Sequence, residues 1–219
     1  MDTATFVAQL GAANQEILDR LAPAETLVAE SGGDLRLENL LKIALKNELE
    51  ATELAARWLV STDDVDIKLA LARQAGDEAK HYRLIATHLQ ELGIDLSGFD
   101  PLTQGYGPLF NYLDTLMDPV ERIAAGQFTR EAIAVVKNQQ FIAWCEAGGH
   151  TTTAALYRDI IQPDEAYHHR LGRDILLRLA TTPETQERAR QAATHTLELA
   201  EELQHLALTR MGVHHAPGC

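Results

Sequence analysis

The sequence predicts an all-α protein: four long helices arranged as two hairpins, a long crossover between the hairpins, and one more helix at each end. Three observations predict it. Ala, Leu, Glu, Gln and Arg dominate, the residues that lose least on entering a helix, while aromatics make up only 5% of the chain. Val, Ile and Thr rarely alternate with polar residues, so no segment reads as a strand. Finally, clusters of Gly, Pro, Ser, Thr and Asp cut the chain into pieces far longer than strands.

A first helix covers about 5–21 and meets Pro23. Ser31-Gly32-Gly33-Asp34 then punctuates the chain and offers a cap for helix A, about 35–60. Ser61-Thr62-Asp63-Asp64 supplies the N-cap of helix B, which runs to about Leu92 and stops at Gly93. Residues 93–117 carry Gly98, Pro101, Gly105, Gly107 and Pro108 and form a connection long enough to cross a bundle. Helix C follows over 119–147, ending at Gly148-Gly149, and helix D over 151–180, with Pro163 inside it. Thr181-Thr182-Pro183 opens a last helix to about 211, and His214 to Cys219 reads as a loose tail. A–B and C–D are expected to be antiparallel pairs in one domain, residues 1–219, with the four-helix core at about 35–180.

Charge and composition exclude several classes. Thirty-two Asp and Glu stand against 19 Lys and Arg, a net charge of −13, which argues against nucleic-acid binding. No apolar run approaches the ~18 residues of a membrane span, and the start lacks the pattern of a signal peptide. Cys145 and Cys219 are too few for a disulfide framework or a CxxC zinc site. A cytoplasmic location is the expectation.

The chemistry lies in a repeat. Helix B reads Asp77-Glu78-Ala79-Lys80-His81-Tyr82-Arg83-Leu84 and helix D reads Asp164-Glu165-Ala166-Tyr167-His168-His169-Arg170-Leu171, identical at six of eight positions. Each copy holds Glu-x-x-His, and helix residues three apart lie side by side, so carboxylate and imidazole can bind one metal ion. Both motifs interrupt an apolar stripe: Ile67, Leu71, Gln74, Glu78, His81, Ile85 and Leu92 in B, and Tyr157, Ile161, Glu165, His168, Leu171 and Ile175 in D. An unpaired buried carboxylate is costly, and metal coordination is the usual remedy. Two such half-sites call for bridging carboxylates from A and C. The stripe of A (Leu37, Leu41, Ala44, Glu48, Ala51, Ala55, Trp58 or Leu59) nominates Glu48, leaving Glu50 and Glu53 on the polar face. That of C (Ala124, Phe128, Glu131, Val135, Ile142) nominates Glu131. Four carboxylates with two neutral imidazoles balance two divalent cations. Mixed oxygen and nitrogen ligands suit iron, with manganese as the alternative.

The set Glu48, Glu78, His81, Glu131, Glu165 and His168 resembles the ferritin-like di-iron carboxylate family, in which a Glu from each of two helices joins a Glu-x-x-His from each of two others. Asp77-Glu78-Ala79-Lys80-His81 is also similar to the Asp-Glu-Ala-Arg-His signature of bacterial di-iron monooxygenases, with Lys80 for Arg. The resemblance implies that Asp77 and Asp164 hydrogen-bond the ligand histidines from outside the ligand set, without saying which serves which. It implies a site that meets O₂ or peroxide, with no catalytic group beyond the metal ligands. The functional expectation is an oxygenase or oxidase of a small apolar substrate. The alternatives are a rubrerythrin-like peroxidase or ferroxidase, or a metal-binding protein of ferritin-like fold without turnover. With no CxxC pair, electrons are expected from an external donor, and bundles of this class often pair as homodimers.

Other residues have plainer readings. Tyr82, Tyr157 and Tyr167 read as core tyrosines and His88 as a satisfied interhelical histidine; His169 points away from the ligand turn. His150, His195 and His205 default to surface or packing, and Cys145 to a small core residue. Gly76 and Pro163 each stand one residue before the repeat, where a local distortion would aim the ligands or where a neighbouring helix simply packs.

Overall fold

The computed structural model describes residues 1–22, 27 and 36–209, and every regular element among them is helical. The elements are α1 (Thr3–Leu21), α2 (Leu37–Val60), α3 (Val65–Glu91), α4 (Pro108–Thr115), α5 (Pro119–Ile123), the π-helix π1 (Ala124–Arg130), α6 (Glu131–Ala147), α7 (Thr151–Leu156), the π-helix π2 (Tyr157–Ile161), α8 (Gln162–Leu179) and α9 (Pro183–Thr209). The Ser31–Asp34 punctuation, the start of helix A at Leu35 and the tail His214–Cys219 lie outside the described residues. No described helix is long and apolar enough to cross a membrane.

Local chemistry sets the helix starts. The Asp2 carboxylate accepts from the Thr5 N–H at 2.9 Å, Asp64 from Ile67 at 3.0 Å, and Asp118 from Val120 at 2.9 Å. Each satisfies one of the donors a helix start leaves unpaired. Pro108 and Pro119 open α4 and α5, where no N–H is needed. Gly93, at φ 80°, ends α3 in the left-handed region that other residues avoid.

α2 and α3 form one hairpin. Helix C is α5–π1–α6 and helix D is α7–π2–α8, and these form the other. α1 and α9 pack on each other and over this second hairpin. The crossover contains a helix that the glycines and prolines there concealed: α4 buries Leu109, Phe110 and Leu113.

Each long helix carries apolar residues at both ends of its buried stripe and polar ones between. One apolar cluster holds Leu54, Trp58, Leu71, Phe128 and Leu176; another holds Leu41, Leu45, Ile85, Phe141 and Tyr157. Between them lies a layer of acids and imidazoles contributed by all four helices.

The two π segments fall next to that layer. At π1 the Glu131 N–H donates to the Gly126 carbonyl, and at π2 the Gln162 N–H donates to the Tyr157 carbonyl, each one residue farther back than in an α-helix. Pro163 supplies a reason for π2, because its ring would clash with the carbonyl four residues earlier in a regular turn. The expected counterpart at Gly76 does not exist: α3 runs through it without a break, and a Cβ there would meet nothing within 4 Å. The distortion sits in helix C instead. π1 moves the later stripe of C from Val135 and Ile142, which are half-buried, to Ala134, Asn138, Phe141 and Cys145, which are buried. Two glycines let π1 pack this closely. A Cβ on Gly172 would stand 2.5 Å from the backbone of Gln127 and Phe128, and one on Gly126 would stand 2.6 Å from the Trp58 ring.

Candidate metal centre

Glu48, Glu78, His81, Glu131, Glu165 and His168 are all fully buried, at 0% exposure. The i, i+3 spacing brings Glu78 to His81 and Glu165 to His168, and the hairpins bring the two turns face to face. Ligand atoms of Glu48, Glu78, His81 and Glu165 lie within 4.8 Å of one another, as do those of Glu78, Glu131, Glu165 and His168. All six residues chosen from the stripes therefore meet. The sharing differs from expectation: Glu78 and Glu165 belong to both groups, whereas Glu48 and Glu131, expected to bridge, each belong to one. Opposed helices put the two Glu-x-x-His carboxylates at the centre, and the lone glutamates of A and C approach from either side.

The imidazoles face inward through Nδ1. That of His81 is 3.3 Å from Glu48 Oε2, 3.2 Å from Glu78 Oε2 and 3.6 Å from Glu165 Oε1. That of His168 is 3.3 Å from Glu78 Oε1 and 3.4 Å from Glu165 Oε2. Their Nε2 atoms reach outward to the repeat's aspartates in a crossed pattern: His81 to Asp164 Oδ2 at 3.0 Å and His168 to Asp77 Oδ2 at 3.2 Å. Each aspartate thus serves the histidine of the opposite helix. An ionised carboxylate only accepts, so Nε2 donates to its aspartate and Nδ1 is the nitrogen turned toward the buried acids. Burial opposes ionisation of Asp164, but bonds from Lys80 and His81 outweigh it and hold its carboxyl below the usual range.

The buried acids are unequally served. Glu131 Oε1 accepts from Gln74 Nε2 at 2.7 Å and lies 3.5 Å from Arg130 Nη1; Gln74 in turn accepts from Gln127 Nε2 at 2.7 Å. Both oxygens of Glu48 and Oε1 of Glu165 make no hydrogen bond, and His81 Nδ1 is only in ion-pair range of Glu48 Oε2 and Glu165 Oε1. Burial pushes the Glu48 carboxyl up to about 7, and burial with the neighbouring Glu78 charge drives Glu165 well above its ordinary range. Burial also opposes a charge on Glu78, yet hydrogen bonds from His168 and His81 leave it ionised. Against the cost of burial, contacts with Glu48 and Glu78 raise His81 to about 12, and contacts with Glu165 and Glu78 do the same for His168. Protons are thus the counter-charges of this cluster when no cation neutralises it.

Gln74, Gln127 and Arg130 form the support that sequence reasoning did not assign. Gln74 on the inward stripe of B was the available signal for it. Glu50 corrects an expectation. It is buried rather than on a polar face, and its Oε1 accepts the Gly107 N–H of the crossover at 2.7 Å. His88 bonds Thr153 Oγ1 at 2.7 Å, as an interhelical histidine should. His169 donates through Nδ1 to the Phe128 carbonyl at 2.7 Å and belongs to neither ligand group. Cys145 is a core residue whose thiol burial pushes up to about 12.

The fold is similar to that of a TenA homologue from Pyrococcus furiosus known from an X-ray structure. The TM-score is 0.65 at 18% identity, over 92% of this chain and 99% of that one. No protein-family model matches the chain, and no curated protein sequence matches it. This likeness corrects the family expected from the motifs: the neighbour is a TenA homologue, not a ferritin-like di-iron protein. The functional readings drawn from that resemblance fall with it: the oxygenase or oxidase, the rubrerythrin-like peroxidase or ferroxidase, and the ferritin-like metal binder. The physical reason is that Glu-x-x-His reports one helical turn. Any bundle of facing helices offers that turn, whatever its connections.

Proposed function

We propose that this chain is a metal-dependent protein that holds a pair of divalent cations inside a helical fold of the TenA kind. Glu48, Glu78, His81 and Glu165 surround one position, and Glu78, Glu131, Glu165 and His168 the other, with Glu78 and Glu165 shared. The observation that carries this reading is the set of carboxylate oxygens on Glu48 and Glu165 that are buried without a hydrogen bond, with a single imidazole nitrogen, His81 Nδ1, near Oε2 of one and Oε1 of the other. Buried polar atoms are almost always paired, and an uncompensated carboxylate in a low-dielectric interior is costly. Cations at these positions relieve both. The donor set fits the group. Four carboxylates match two divalent charges, and imidazole with carboxylate suits iron, with manganese the alternative.

Bound there, the pair would supply concentrated positive charge able to polarise a ligand entering its coordination sphere. The chain's own residues prepare the position for it. Asp77 and Asp164 hold the outer imidazole nitrogens as donors and so aim Nδ1 inward. Gln74 fixes the orientation of Glu131. The two apolar clusters above and below exclude water, which strengthens every charge interaction between them.

The test is metal content. The chain is stripped of metal, reloaded anaerobically with Fe(II) or Mn(II), dialysed and analysed by elemental mass spectrometry. Two ions per chain, lost on Glu165→Ala, are expected. Loading that is unaffected by Glu165→Ala would place the metal on surface acids and overturn the reading.

A further inference from the structure

The two copies of the repeat differ at their fourth position, Lys80 in one and Tyr167 in the other. In the fold this difference has a geometric meaning. Lys80 Nζ lies 2.5 Å from Asp164 Oδ2 and 3.6 Å from Asp77 Oδ1. One ammonium therefore touches both aspartates, each of which bonds a different buried histidine. A continuous polar chain runs from His81 through Asp164, Lys80 and Asp77 to His168. Tyr167 takes another part: its ring lies under Arg73, 3.6 Å from the guanidinium carbon, and Arg73 Nε reaches Asp77 Oδ2 at 3.3 Å. A second lysine in place of Tyr167 would duplicate a cation that one side chain already supplies. Lys80 and Arg73 together balance the charges of Asp77 and Asp164, so a cluster neutralised by two divalent ions stays neutral outward to the surface.

We propose that Lys80 is a positioning residue that ties the two metal positions to each other, holding both Asp–His pairs in register so that neither imidazole can turn without disturbing the other. This inference rests on the metal reading above. An exposed ion pair on its own contributes little, and the Lys80 side chain is 43% exposed. Its two partners are only 19% and 21% exposed, however, and each is bonded to a fully buried ring. Groups that orient metal-binding histidines typically change metal affinity about 10–100-fold when removed.

The experiment uses Co(II), whose visible absorption reports ligand geometry, and two backgrounds that each keep one position. Glu131→Ala retains the position with His81, and Glu48→Ala the position with His168. Lys80→Met is expected to weaken Co(II) binding about tenfold in both backgrounds and to alter both spectra, and Lys80→Arg to restore much of each. Asp164→Asn should act mainly in the Glu131→Ala background and Asp77→Asn mainly in the Glu48→Ala background. Unchanged affinity and spectra in Lys80→Met would overturn the tie while leaving the metal reading intact. An effect of Lys80→Met in one background alone would also overturn it, since the residue would then serve a single position. Failure of the unmodified chain to take up Co(II) would instead overturn the metal reading, and this inference with it.

Discussion

The two halves of the buried cluster share a pair of glutamates and mirror each other in their histidines, yet their remaining acids differ. Glu131 is met by the Gln74 amide and has the Arg130 guanidinium beside it, whereas the oxygens of Glu48 make no hydrogen bond and have only the His81 imidazole nearby, at 3.3 Å. Two positions of the same composition are thus unequal before any cation arrives. One carboxylate has a hydrogen-bond donor and a guanidinium beside it, while burial pushes the carboxyl of the other up to about 7. The difference comes from Gln74 of helix B, which donates to Glu131 and is itself held by Gln127, and from the π segment of helix C, which places Arg130 beside Glu131. Helix A places Ala44, Ala51 and Ala55 beside Glu48, and these offer no donor.

The strongest challenge to this comparison is to remove the shared acids. Glu78→Ala and Glu165→Ala should each abolish both metal positions, while Glu48→Ala or Glu131→Ala should leave one, as counted by elemental analysis. Loss of both ions on Glu48→Ala would show that the positions are not separable.

Next in size is the effect of pH. With no cation, His81 and His168 titrate at about 12 and Glu48 at about 7. All three are raised above their unfolded values. Their contribution to stability is therefore full at low pH, and it is lost for Glu48 as pH rises from 4.5 through about 7, and for the histidines from 6.5 toward about 12. The melting temperature of the metal-free chain should fall across that range. Protons compete with metal for the same atoms, so metal affinity should rise over the same range, with proton release visible by calorimetry in buffers of different ionisation enthalpy. A metal-free chain that becomes more stable between pH 5 and 8 would contradict this assignment.

Gly172→Ala sharpens the comparison from the backbone side. Its Cβ must displace the Gln127–Phe128 backbone, a cost of about 1–3 kcal/mol in thermal or denaturant unfolding. It should also disturb the Glu131 position more than the Glu48 position. Glu50→Ala is the control two residues beyond Glu48. It strands the Gly107 N–H of the crossover, lowering stability by about 1–3 kcal/mol with both metals retained. The smallest effect is that of Gln74→Leu, which removes the donor to Glu131. It should make the two positions more alike, seen as convergence of their separate metal affinities.

Much of the fold was legible in the sequence because it is local. The cap at Asp64, the stop at Gly93 and most of the inward stripes of helices A, B and D follow from helix period and turn chemistry, but Leu92, expected on the stripe of B, is exposed just past the helix end, and Leu89 is buried instead. The six buried acids and imidazoles were legible for the same reason, as polar residues standing where core residues belong. Glu50 was misread because its burial comes from the crossover loop folding over helix A, which no helical period reports. The stripe of helix C was misread because π1 inserts a residue, and the groups packed closely against it, Gly172 and Trp58, are distant in the chain. The short helix α4 was hidden among turn residues, since its stability comes from burying Leu109, Phe110 and Leu113 against other elements.

By itself the sequence determined that the chain is helical and that two matched turns carry a carboxylate beside an imidazole, because neighbours three residues apart on a helix are set by backbone geometry alone. Only the tertiary structure decided that Glu78 and Glu165 belong to both groups of buried acids and imidazoles, that each aspartate serves the opposite helix's histidine, and that the whole fold is similar to that of a TenA homologue. Those outcomes depend on how separate helices are placed against each other, and contacts between distant parts of a chain leave no period in the sequence to read.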